Sequence, residues 1–175
     1  MQTTPCAFRL LISKEKIQHE IRVVADTLNQ QFAGKNVTII AIMKGAICFT
    51  ADLIRKLTFP FSLELLTCKS YGMRGKDRGK LSIESLPANL KGSHIILLDD
   101  MFDSGNTLFT VYKKIIALEP ASCTSMVLLL KNIDREISYR PDFALFTIQN
   151  DFVIGYGMDL KEEYRGLPGI YIHDE

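Results

Sequence analysis

Ile95-Ile-Leu-Leu-Asp-Asp-Met-Phe-Asp-Ser-Gly-Asn-Thr107 is the stretch on which the reading of this chain turns. Its first four residues are wholly apolar and, with His94, read as a strand over 94–98 buried on both faces, as parallel strands usually are. Beyond it come the paired carboxylates Asp99 and Asp100, a third at Asp103, and the turn Ser104-Gly105-Asn106-Thr107. Leu108, Val111, Tyr112, Ile115 and Ile116 then follow the i, i+3, i+4, i+7, i+8 spacing of an amphipathic helix up to Glu119-Pro120. A helix N-terminus loosened by Gly105 and joined by the hydroxyls of Ser104 and Thr107 is a phosphate cradle that needs no lysine. Asp99 and Asp100 are placed to take ribose hydroxyls or a hydrated Mg²⁺, which accepts one or two carboxylates plus substrate oxygens. The bland alternative is that Asp103 or Ser104 caps the helix while the acidic pair solvates a strand end. Three like charges so close cost stability unless a cation or ligand uses them, which favours a binding site.

Working outward, Ile17, Ile21, Val24 and Leu28 share one helical face, opened by Ser13 and closed near Gly34. A mostly β-branched run over 37–43 reads as a second doubly buried strand ended by Lys44-Gly45, followed by a helical segment over 46–57 and a strand over 61–68. The segment 69–80 holds three glycines and five cations against one Asp, a composition for a loop and not for a core element. Two more apolar strands are expected at 125–130 and 143–148. Lys131, directly after the first of these, brings its ammonium to the sheet end that carries the acids, where it could donate to an exocyclic carbonyl. From Asn150 onward the pattern is irregular. Strands alternating with helices give an α/β fold with a largely parallel central sheet flanked by helices, whose ligand sites belong at the carboxyl ends of the strands.

Composition agrees. With 175 residues, 47% hydrophobic and 23% charged, the chain fits one globular domain over 1–175 and is neither disordered nor fibrous. Its 21 Lys+Arg against 20 Asp+Glu argue against a whole face built for nucleic acid, so anion binding must be local. Cys6, Cys48, Cys68 and Cys123 show no metal spacing and are expected as reduced thiols. No run approaches the roughly 20 apolar residues of a membrane span, and the cytoplasm is the expected location. A dinucleotide-binding GxGxxG and a Walker A loop are both missing. In a receiver domain the paired acids come on the first strand, whereas here they lie past the midpoint of the chain. His19, His94 and His173 stand in no recognisable sequence arrangement with a Ser or Cys and are read as structural.

The stretch quoted first resembles the phosphoribosyl pyrophosphate signature of the type I phosphoribosyltransferases. Met43-Lys44-Gly45, Ser70-Tyr71-Gly72, that signature, and the run from Asp151-Phe152-Val153 to Asp159 with Arg165 stand in the order of the hypoxanthine-guanine branch of that family. The resemblance implies a small hood built from the chain's two ends, with its base-binding part at about 150–175, over the parallel sheet. It also implies transfer of the 5-phosphoribosyl group from phosphoribosyl pyrophosphate to N9 of a 6-oxopurine, with Mg²⁺, in purine salvage. By the same resemblance Asp103 is the catalytic proton acceptor near N7, and Asp99 and Asp100 handle ribose hydroxyls and metal. Ser104, Gly105, Asn106 and Thr107 hold the 5′-phosphate. Lys44 and Gly45 offer a pyrophosphate-binding turn that often contains a non-proline cis peptide, while Ser70 and Tyr71 open a lid over about 69–80. Lys131 contacts O6 of the purine, Phe152 stacks on it, Val153 reads its edge through the backbone, Asp159 takes a second Mg²⁺ and Arg165 the pyrophosphate. Taken locally, the same residues also admit a snorkelling Lys44, a solvated hairpin tip at 69–80, a core Phe152 and a surface Asp159–Arg165 ion pair.

The family more often carries Ser, two aliphatics and Thr or Ser where this chain has Ala46, Met101, Phe102 and Ser104. Its members imply a homodimer or homotetramer that binds phosphoribosyl pyrophosphate and an oxopurine, with no nucleic acid and no membrane partner. The alternative on the same fold is a non-catalytic nucleotide-sensing regulator. Such relatives usually carry a basic face or an added DNA-binding domain, and the net charge of +1 speaks against the first.

Overall fold

The computed structural model describes residues 8–70, 81–83, 86–87 and 89–173. The elements run β1 (Phe8–Ile12), α1 (Lys14–Gln31), β2 (Val37–Met43), α2 (Ile47–Ile54), β3 (Phe61–Ser70), β4 (Leu81–Ile83), β5 (His94–Phe102), α3 (Asn106–Ile116), β6 (Ser122–Lys131), β7 (Phe143–Ile148), β8 (Val153–Ile154) and β9 (Ile170–His173). Six strands form one sheet in the order β4-β3-β2-β5-β6-β7, parallel except where β4 pairs antiparallel with β3. The expected α/β architecture is the observed one.

The doubly apolar strands make the layers. Successive strand side chains point to opposite faces. Ile39, Ala41, Ile96 and Leu98 accordingly pack with Ile17, Ile21 and Leu28 of α1 and Phe49 and Leu53 of α2. On the other face Ile40, Ile42, Ile95 and Leu97 pack with Leu108, Val111 and Ile115 of α3. Each of the fully buried Ile, Leu, Val and Phe side chains among them contributes about 1.5–3 kcal/mol. Helix α1 starts as expected, with the Ser13 hydroxyl accepting from the Lys16 N–H at 3.3 Å.

Several boundaries differ from expectation. Strand β5 continues four residues past Leu98, because β6 stays paired with it up to Phe102↔Leu130 after β2 has left at Ala41↔Leu98. The acidic pair therefore lies within the strand and not beyond it. Strand β6 begins at Ser122, since polar Ser122 and Thr124 pair with His94 and Ile96. Helix α2 ends at Ile54, although Leu57 still packs against the core. Of the loop expected at about 69–80, Lys69 and Ser70 finish β3, and 71–80, including Tyr71, lie outside the described residues.

The irregular C-terminal stretch holds the largest difference. Strands β8 and β9 join β1 in a small antiparallel sheet of order β1-β9-β8, with Phe8↔His173 and Val153↔Ile172 among the pairs. Ile12, Val153, Tyr156 and Ile172 belong to the same buried cluster as α1, so the hood's core is continuous with that of the large sheet. No described helix is long and apolar enough to cross a membrane.

Candidate active site

The carboxyl ends of β2, β3 and β5, the start of α3 and the segment around β8 enclose a cleft of about 360 Å³, with Lys131 outside its lining. Asp99, Asp100, Asp103, Ser104, Gly105 and Thr107 line one side, and Phe152, Val153 and Asp159 the other. Nine of the residues singled out from sequence thus face a common space. Ile42, Met43, Cys68, Met101, Leu108 and Met158 complete the wall. These apolar positions carried no chemical signal in the sequence.

Asp99 is 5% exposed, and its Oδ1 accepts from the Asp100 N–H at 3.0 Å. Burial, and then the charge of Asp100, push its carboxyl well above the usual range. Burial raises Asp100 too, opposed by hydrogen bonding from Asp99 and by the Arg165 charge. The β2–α2 turn presses on this pair, because a Cβ at Gly45 would lie 2.1 Å from Asp100 Oδ2. The peptide bond between Met43 and Lys44 is cis.

Helix α3 opens as a backbone cradle. Its N-cap is Gly105, at φ 80° and without a side-chain cap, so neither Asp103 nor Ser104 fills that role. Ser104 Oγ accepts only a long 3.5 Å bond from the Asn106 N–H. A Cβ at Gly105 would meet Ile137 at 2.4 Å and Phe102 at 2.5 Å, so glycine is demanded by both φ and space. The first-turn N–H groups of a helix have no intrahelical acceptor and are offered outward.

Past Phe102↔Leu130 the next residues on the two strands are Asp103 and Lys131. Lys131 is 8% exposed, and its Nζ stands 3.6 Å from Asp103 Oδ2. Phe152, 53% exposed, is a free aromatic face at the cleft and not a core residue. Arg165 ties the hood together by donating to the Gly157 carbonyl at 2.8 Å and pairing with Asp159 at 2.8 Å and Glu162 at 3.0 Å. The Asp159–Arg165 pair anticipated as a bland alternative therefore exists, at the cleft wall. Lys44 pairs with Glu162 at 3.1 Å, both side chains well exposed. Gly157 touches the β2–α2 turn, since a Cβ there would lie 2.1 Å from the Gly45 carbonyl oxygen.

Sequence reading missed Arg135, Glu162 and Gly157. Glu162 and Gly157 become informative only when β1, β8 and β9 are assembled, and Arg135 only when β5 and β6 are seen to end side by side. For Mg²⁺, Asp99 and Asp100 present the right hard oxygen donors in a place where their own repulsion and burial call for a cation. Among the described residues no group of three or more His, Cys, Asp or Glu forms a cage. That suits an ion completed by substrate oxygens and water.

The family model of the phosphoribosyl transferase domain matches residues 12–161, a span that takes in the strand-end acids, the glycine-capped helix start and most of the facing wall. The hypoxanthine-guanine phosphoribosyltransferase of Streptococcus pneumoniae is 32% identical over 95% of this chain and 93% of its own length. The hypoxanthine-guanine-xanthine phosphoribosyltransferase of Tritrichomonas foetus is also 32% identical, over 95% and 92%. A crystal structure of a Bacillus anthracis hypoxanthine-guanine phosphoribosyltransferase superposes with a TM-score of 0.87 at 30% identity, covering 94% of this chain and 97% of that one. The chain belongs to the phosphoribosyltransferase family and, within it, to the hypoxanthine-guanine phosphoribosyltransferases.

Proposed function

We propose that the chain transfers the 5-phosphoribosyl group of phosphoribosyl pyrophosphate to N9 of a 6-oxopurine, hypoxanthine or guanine, releasing the nucleoside monophosphate and pyrophosphate. The observation that carries the choice of base is the Lys131 ammonium 3.6 Å from the carboxylate of Asp103, which lines the same cleft as the exposed Phe152 ring. A lysine ammonium donates three hydrogen bonds and accepts none, so it suits the O6 carbonyl and leaves the amino group of adenine unpaired. Asp103, acceptor-only when ionised, suits the N7 proton.

The N9 lone pair forms the bond to C1 of the ribose as the C1–O bond breaks, and its electrons leave with pyrophosphate. Asp103 takes the proton at N7. Phe152 stacks on the base, the Val153 backbone reads its edge, and the cradle of Ser104, Gly105, Asn106 and Thr107 holds the 5′-phosphate. Asp99 and Asp100 accept from the ribose hydroxyls, while Lys44, the Gly45 backbone and Arg165 attract the pyrophosphate. Fixing both reactants converts a bimolecular encounter into a unimolecular step. Asp99 and Asp100 would hold one Mg²⁺, and Asp159, through lone pairs left by Arg165 and the Glu162 N–H, a second. Bound there, Mg²⁺ neutralises the charge that collects on the pyrophosphate oxygens. A single domain working in the cytoplasm as a homodimer or homotetramer fits this activity.

The test is turnover. Protein, Mg²⁺ and phosphoribosyl pyrophosphate should give nucleotide from hypoxanthine or guanine and essentially none from adenine. Equal use of adenine would overturn the role given to Lys131, and no product from any oxopurine would overturn the activity.

A further inference from the structure

Arg135 looks, in sequence, like one charge in the polar turn Lys131-Asn-Ile-Asp-Arg135-Glu. In the fold its guanidinium is turned inward onto the ends of β5 and β6. Nε donates to the Asp103 carbonyl at 2.6 Å, Nη1 to the Ile133 carbonyl at 3.1 Å, and Nη2 to the carbonyls of Phe102, at 3.1 Å, and Lys131. The same group lies over the Phe102 ring, 5.0 Å from its centroid. The β5–β6 register ends at Phe102↔Leu130, so Arg135 takes over where the ladder stops and ties the two strand ends through one rigid plane.

Satisfying carbonyls does not require this. Water serves strand-end carbonyls as well as a side chain does. A planar fork adds fixed geometry, which a flexible lysine or water does not. The backbone of both residues that flank the base position, Asp103 and Lys131, hangs from that plane. Phe102 supplies the ring on which the plane rests. Phe102 and Ile137 both abut Gly105, so the ring beneath the guanidinium is itself held in place.

We propose that Arg135, seated on Phe102, is a positioning residue that sets the distance between the Asp103 carboxylate and the Lys131 ammonium without touching substrate. The proposal rests on the reading that Asp103 and Lys131 address the purine. Displacing a reacting group by about 1 Å can cost about 10²-fold in rate. Arg135→Lys keeps the charge but loses the fork.

In Arg135→Lys, kcat/KM for hypoxanthine should fall about ten- to a hundredfold while the dissociation constant for phosphoribosyl pyrophosphate, measured without base, stays within about threefold. Because Arg135 acts in part through Asp103, the double variant Asp103→Asn with Arg135→Lys should lose clearly less than the product of the two single losses. Millimolar guanidinium should restore turnover to Arg135→Ala, and Phe102→Leu should lower kcat/KM for hypoxanthine in the same direction. Wild-type kcat/KM in Arg135→Lys, multiplication of the two losses in the double variant, or parallel loss of base turnover and sugar-phosphate binding would each overturn the proposal. If Arg135→Ala does not fold, the Arg135→Lys and Phe102→Leu measurements decide it. Asp103→Asn measured alone separates the two readings: unchanged turnover there sinks the assignment of Asp103. A large loss there with none in Arg135→Lys sinks only the role of Arg135.

Discussion

On the sheet side of the cleft the polar groups come from consecutive residues at the ends of β5 and β2, held by main chain and glycine: the Gly105 cap, the Gly45 turn and the Asp99-Asp100 pair. On the facing side, from Phe152 to Arg165, the chain is barely regular, with Tyr156, Lys161, Glu162 and Tyr164 all at positive φ. Its geometry is set by side chains that reach far along the sequence. Tyr156 donates to Asp52 at 2.6 Å, and Arg165 gathers Gly157, Asp159 and Glu162. In the proposed reading the rigid side holds the ribose and 5′-phosphate, which do not change with the base, and carries Asp103 at their edge. The facing wall meets both the base, through Phe152 and Val153, and the pyrophosphate, through Arg165.

That contrast is sharpened first by Asp103→Asn, from which we expect a fall in kcat of about 10²–10⁴ with sugar-phosphate affinity nearly unchanged, read by steady-state kinetics and calorimetry. Equal loss of both would mean that Asp103 serves sugar-phosphate binding as much as the base. Next comes a pair of glycine changes. Gly45→Ala must displace Asp100 and should lower kcat/KM for phosphoribosyl pyrophosphate at least about tenfold. Gly34→Ala, at φ 70° but with nothing within 4 Å, should cost only about 1–2 kcal/mol of stability and leave turnover alone. Comparable kinetic loss in both would remove the distinction between tight and open glycines.

A smaller effect, opposite in sign for stability and activity, is expected at Asp99. Its folded carboxyl titrates above the unfolded one, so the stabilisation from its protonated form is complete below the unfolded value of about 3.9 and is lost as pH rises through the higher folded value. Without ligand or metal, Asp99→Asn should therefore raise the thermal midpoint at neutral pH, by about 2–4 °C per kcal/mol gained, and flatten its decline with pH while turnover drops. A lower midpoint would show that the charge is already compensated. Smallest of all is Glu162→Gln. Its link to Lys44 is exposed, so KM for phosphoribosyl pyrophosphate should move less than about threefold, and less still at high salt.

The two sides also differed in how far they could be read in advance. Strand β2 was legible to the residue because it is buried on both faces and uniformly apolar, and the acid-rich turn stood out because its chemistry is packed into one short window. The end of β5 was not, since only its pairing with β6 carries Asp99 to Phe102 as strand. The hood was expected only through the family resemblance, and its individual strands were not legible in the residues. Strand β1 owes its existence to β9, from the far end of the chain, and β8 is two residues long. Arg135 escaped for the same reason, because nothing local distinguishes a guanidinium that will face inward from one that will face water.

The contact between Gly157 and the Gly45 carbonyl brings two main chains together with no side chain between them. Amide protons around 45–48 and 155–158 should therefore exchange with solvent as one cooperative unit, so that loosening either segment by substitution speeds exchange in both. The two walls of the cleft, so unlike in construction, then breathe on a common clock.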